Sequence, residues 1–206
     1  MNPFAPTASA ALVTASTTCS SDAAIARAAT YALQQLAIDP AALAAAATGP
    51  KIGAMSNDAV LAAIVTAKGT VTRGAQLVKE LGCISCHTVG AGETPKGPPL
   101  NLVSGVFPQR RDLAEAILLP NKSISQGYPT VRITRRTGGD IVGFVVKDST
   151  DAILLQDITT EQTRIPVANI ASRASVDVSI MPPGLTGNLT LTEFASLLDY
   201  IESLAR

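Results

Sequence analysis

The run Cys83-Ile84-Ser85-Cys86-His87 holds the only histidine and two of the three cysteines of the 206-residue chain. Read as C-x-x-C-H, it has the form of a c-type haem attachment site. The spacing has a spatial logic. Two thiols three positions apart each add to one vinyl group on a haem edge, and the histidine that follows sits under the iron as an axial ligand. A single imidazole excludes every mechanism that needs two within the chain, including bis-His haem ligation, a His-rich zinc enzyme and a paired-His acid/base site. Two other chemistries use a C-x-x-C pair, namely a dithiol redox centre and half of a zinc site. Zinc wants four ligands, and the remaining Cys19 lies in a distant Ser/Thr-rich stretch. A thioredoxin-like site wants a β-α-β setting, whereas residues 72–81 have a helical pattern. The non-haem dithiol or zinc module stays open as the alternative.

With His87 on one side of the iron, the other side has no second histidine to bind it. Of Met1, Met55 and Met181, the last lies in Ser179-Ile180-Met181-Pro182-Pro183-Gly184-Leu185, just before a terminal helix. Prolines there lower the entropy cost of holding a thioether against iron. His/Met ligation raises the reduction potential and leaves no vacant position for oxygen chemistry. The expectation is therefore an electron carrier and not an enzyme; a peroxidase-type site would need an open iron.

The composition is compatible with a bound apolar body. Hydrophobic residues make up 47% of the chain but aromatics only 3%, and much of the apolar fraction is alanine, which buries little area. Haem offers an apolar face that such a core lacks. A formal net charge of zero argues against nucleic-acid partners. The longest apolar runs, 41–47 and 59–65, fall well short of the roughly 18 residues of a spanning helix, so no transmembrane segment is expected.

The elements that must position these residues follow from periodicity and caps. Residues 1–21 read as a flexible lead. Residues 22–69 read as an Ala-rich helical extension, with starts near Asp22, Asp39-Pro40 and Ser56-Asn57 and stops at Gly49-Pro50 and Gly69. Gly74, Leu77, Val78 and Leu81 mark one face of a helix over 71–81 that leads into Cys83. A Gly/Pro-rich loop over 90–99 and a helix over 112–119 come next. From Tyr128 the period changes to two: strands are expected at 130–134, 141–146, 152–157 and 163–170, with Gly138-Gly139 as a two-residue turn. Thr190-Leu191-Thr192-Glu193 is a capping-box pattern opening the last helix.

The order of these motifs resembles class I c-type cytochromes: a helix with Gly74, then the C-x-x-C-H run, Gly97-Pro98-x-Leu100, and Met181-Pro182 before a helix with Tyr200. The longer form is similar to the haem-binding domains of large exported proteins in planctomycetes and related bacteria. It adds Ile117-Leu118-Leu119-Pro120-Asn121-Lys122, Ile124, Gly127-Tyr128, the strands and Met181-Pro182-Pro183-Gly184-Leu185. The resemblance covers about 70–206. It implies one covalent haem c on Cys83 and Cys86 with axial His87 and Met181. It also implies a Pro98 carbonyl accepting a hydrogen bond from the His87 ring, Leu100 packed on the porphyrin, and first and last helices crossing at Gly74 and Tyr200. Arg110, Arg111 and Tyr128 are further candidates for the haem propionates.

The fold class expected on this basis is mainly α: a cytochrome c-like helical domain with a small antiparallel β meander inserted at about 129–170, preceded by Ala-rich helices. The expected partner is a redox protein or a fused dehydrogenase domain. Haem attachment by this motif occurs outside the cytoplasm, so a periplasmic or otherwise exported location is expected. Residues 1–21 contain no Lys or Arg, and Thr and Ser break their apolar stretch. They make no clear export signal, and the chain reads as a fragment or as having a misplaced start.

Overall fold

The computed structural model describes residues 48–90, 93 and 96–205. The expected flexible lead, Cys19 and the first Ala-rich helices fall on residues 1–47 and lie outside the described residues.

Helix α1, Asn57–Ile64, begins where the Ser56 hydroxyl accepts from the Ala59 N–H. Helix α2, Val71–Glu80, is capped in the same way by Thr70. The single turn α3, Cys83–Cys86, carries the thiols. Further on come α4, Val103–Val106, and α5, Arg110–Leu118. The last helix, α6, Leu191–Ser203, opens with the reciprocal capping box of Thr190 and Glu193. Their apolar faces form one core that includes Ile52, Leu61 and Ile64 together with Leu77, Leu113, Phe194 and Leu198. Residues 51–64 thus share the core of the helices that follow, and the Ile52 and Gly53 N–H groups bond to the Leu189 and Gly187 carbonyls just before α6.

Helices α2 and α6 approach closely because Gly74 has no side chain. A Cβ there would collide with the Ser196 carbonyl oxygen and the Tyr200 Cβ. Arg110 ties three helices together. Its Nε donates to the Ile64 carbonyl at 3.1 Å, Nη2 to the Ala195 carbonyl at 3.0 Å, and Nη1 pairs with Asp199 at 2.9 Å and Glu202 at 2.6 Å. These bonds commit the guanidinium, 17% exposed, to the fold and not to a propionate. Replacing Arg110 with Met would strand two carbonyls and set two carboxylates side by side. Because those carboxylates retain some water, the expected loss is about 2 kcal/mol, below the 3–5 of a fully buried pair. The urea unfolding midpoint measures it.

The fold is not mainly α. Five strands, β1 Thr130–Arg135, β2 Asp140–Asp148, β3 Ala152–Gln156, β4 Gln162–Pro166 and β5 Ile170–Val176, form an antiparallel sheet in the order β4-β3-β2-β1-β5. The sheet owns a second core of Val131, Ile133, Ile153, Leu155 and Ile165. It is a full layer of a mixed α and β protein, not a small insert in a helical one. Strand β5 extends it past the expected end at 170 and pairs with β1 along its length. Its interior residues, 171–175, are exposed Ala, Ser and Arg, so backbone pairing forms the strand without an apolar alternation to announce it.

The sheet also curls. Strands β4 and β5 lie at opposite edges but are joined only by the 3-10 turn Val167–Asn169. Flat five-stranded pairing would separate the edges by about 19 Å, while the linker reaches about 14 Å at most. Asn169 helps hold the curl: its carbonyl accepts from the Arg136 N–H at 2.7 Å and its side chain from the Thr137 N–H at 3.0 Å.

One cross-strand row lies on the sheet face away from that core. Thr130, Phe144, Gln156 and Gln162 are in register on neighbouring strands, and the first three are buried.

Candidate functional site

Gly82, at φ 73°, takes the left-handed conformation that separates α2 from α3. The chain then makes one turn, and the His87 N–H bonds the Cys83 carbonyl at 2.9 Å. Both Cys83 and Cys86 are free thiols, neither fully buried. The loop returning from residue 96 passes close under this turn. A Cβ at Gly97 would collide with the Cys86 carbonyl, so only glycine lets the two backbones meet there.

That approach brings the Pro98 carbonyl 2.6 Å from His87 Nδ1. A carbonyl only accepts, so Nδ1 carries the proton and Nε2 keeps its lone pair for a metal. Burial lowers the His87 pKa below the ordinary imidazole value, with the Pro98 hydrogen bond pulling the other way. The neutral, ligand-competent ring is thereby favoured. The Leu100 N–H bonds the Thr88 carbonyl at 2.8 Å, and the Leu100 side chain is buried in the helical core.

Burial raises the pKa of both thiols; for Cys86 the Gln156 amide and the Lys96 charge oppose it, more weakly. Burial thus favours the protonated form of both side chains. Among the described residues, no group of three or more His, Cys, Asp or Glu side chains gathers as a metal site.

The structure therefore brings Cys83, Cys86, His87 and Pro98 together, with Leu100 close behind them. Met181 lies half-buried in the loop after β5. Its N–H bonds the Ser179 hydroxyl at 3.1 Å, and the Ser179 N–H bonds the Asn121 side chain at 2.8 Å, which moors the loop to the segment after α5. A cleft of about 260 Å³ beside His87 is lined by Val78, Lys79, Ile84, Val89, Lys96 and Tyr200 among others; Met181 is not one of its lining residues. Leu102 and Val106, beyond Leu100, are 61% and 63% exposed, and Val178, before Met181, is 52% exposed.

The sheet reaches this site through Gln156 and Phe144, which no motif singled out. Gln156 Nε2 lies 3.9 Å from Cys86 Sγ, and Phe144 lies near Gly97. Tyr128 meets Phe144 edge-on, with ring centroids 6.0 Å apart. A glutamine closing the apolar run of β3 was the only trace of this contact in the sequence. No protein-family model matches the chain, and no curated protein is similar to it.

Proposed function

We propose that the chain carries one covalent haem c and passes single electrons. The observation that carries this reading is the His87 imidazole, held at Nδ1 by the Pro98 carbonyl, immediately after a turn bearing two free thiols. Orientation of a ligand imidazole through its far nitrogen is the usual second contact of a metal-bound histidine. Bound here, the iron would alternate between ferric and ferrous and supply the one-electron chemistry.

The chain's own residues have definite tasks in this reading. The Cys83 and Cys86 thiols would hold the haem covalently, each through one thioether to a vinyl group; adding S–H across the C=C bond consumes no oxidant. His87 Nε2 would hold the iron, and Met181 is the candidate for its second protein ligand. Leu102, Val106 and Val178 are exposed apolar side chains close in sequence to Leu100 and Met181, and Leu100 itself is buried in the helical core. No catalytic residue is assigned. The partner is a redox protein or a fused dehydrogenase domain, and covalent attachment points to an exported location. Among the described residues, no helix is long and apolar enough to cross a membrane.

Met181→Ala tests the distal ligand. With haem attached, the variant is expected to lose the thioether-ligated low-spin spectrum and to fall in reduction potential. An unchanged spectrum and potential would remove Met181 from the iron. Iron and zinc content of the purified wild type, read together, separates haem from the zinc alternative.

A further inference from the structure

We infer that the β sheet is part of the haem-holding site, with Gln156 as a positioning residue that steadies the Cys86 tether and raises the reduction potential. The inference rests on the function proposed above and adds to it a residue from an element outside the attachment motif. Gln156 is 1% exposed, yet it lies 70 positions from Cys86 in the chain. Its side-chain oxygen accepts from Gln162 Nε2 at 2.9 Å. That bond turns the amide so that its NH₂ group faces Cys86 Sγ at 3.9 Å. A buried carboxamide is costly unless its polar atoms are met, and an apolar side chain would fill a strand position at lower cost. The row also holds the buried Thr130, whose hydroxyl has no hydrogen-bond partner among the described residues. This row, through Gln156 and Phe144, is where the sheet meets the attachment turn and its returning loop.

The consequence for a redox centre follows from sign. The NH₂ end of the amide is its positive end, and in a poorly solvated setting its field is weakly screened. Beside a thioether joined to the macrocycle, it disfavours the ferric state and so raises the potential. Second-shell hydrogen bonding is one of the protein's levers on haem potential.

The test uses the haem-loaded protein. Gln156→Leu is expected to keep full haem content and the low-spin spectrum while its one-electron equilibrium shifts toward the oxidised form about threefold, or roughly 28 mV at 59 mV per tenfold. Gln162→Leu, at an exposed position, frees the amide to rotate and is expected to shift the potential the same way by less. A loss of thermal stability in Gln156→Leu with an unchanged potential makes Gln156 a structural strut and overturns the inference. If that variant fails to fold, an unchanged potential in Gln162→Leu overturns it instead. A wild type without covalent haem overturns both this inference and the function it rests on.

Discussion

Cys83→Ala combined with Cys86→Ala is expected to give folded protein without any covalently held pigment after production with a haem-maturation system. The thiols are the only groups on α3 able to form a thioether, and neither is fully buried. Their removal takes little from the helical core, which is built on Leu77, Phe194, Leu197 and Leu198. Circular dichroism should therefore stay close to that of the haem-free wild type, and loss of pigment then reads as loss of attachment and not as unfolding. Each single variant keeps one thiol and is expected to keep haem through one bond, with one vinyl group left unsaturated and an absorption band moved to longer wavelength. Mass spectrometry of the denatured proteins separates the three cases. Pigment that survives denaturation in the double variant would mean that these cysteines are not the tethers.

Gly74→Val is expected to destabilise the protein by about 3 kcal/mol or more, the upper range for forcing atoms into a packed contact. Helix propensity alone argues the other way for the smaller change to alanine, since glycine inside a helix costs about 1 kcal/mol relative to alanine. Close approach decides the sign. The first atom added at Gly74 meets the Ser196 carbonyl and Tyr200 Cβ, and neither is the yielding tip of a long side chain. Gly74→Ala should therefore lower stability despite its better propensity. At roughly 2–4 °C per kcal/mol for a chain of this size, the valine variant should melt about 10 °C lower. A melting temperature unchanged in both variants would mean that α2 and α6 do not cross at this glycine. Helix α2 leads directly into α3, so spreading this crossing also loosens the frame that sets His87 against Pro98.

Local signals made the helical layer legible. Ser56 and Thr70 cap helices near the places where periodicity starts them, and the Thr190/Glu193 box opens the last helix as its spacing suggests. Gly138 and Gly139 both take positive φ in the β1–β2 turn. The hydrogen bond between His87 and Pro98, implied by resemblance, is present.

What failed was the weight given to the strands. A mainly α fold makes the meander over 129–170 a minor insert, and β5 offers no alternating pattern that would extend it. The sheet's size comes from pairing, and pairing depends on partners far away in sequence. The partners of Arg110 are hidden for a similar reason: a basic residue at a helix start looks free until Ile64, Ala195, Asp199 and Glu202 are brought around it. Gln156 belongs to the same class, since its contact with Cys86 exists only once the sheet lies against the helical layer. The Met181 loop was legible as a Pro-rich loop before the last helix; its mooring through Ser179 and Asn121 was not.

The most direct measurement is the state of the wild-type protein after production alongside haem-maturation machinery, denatured and then analysed for pigment, mass and free thiols. The account predicts one haem per chain that resists extraction, no titratable thiol at Cys83 or Cys86, and a ferric spectrum of a six-coordinate low-spin iron before denaturation. A colourless chain with both thiols free, or one holding zinc in place of iron, would contradict it.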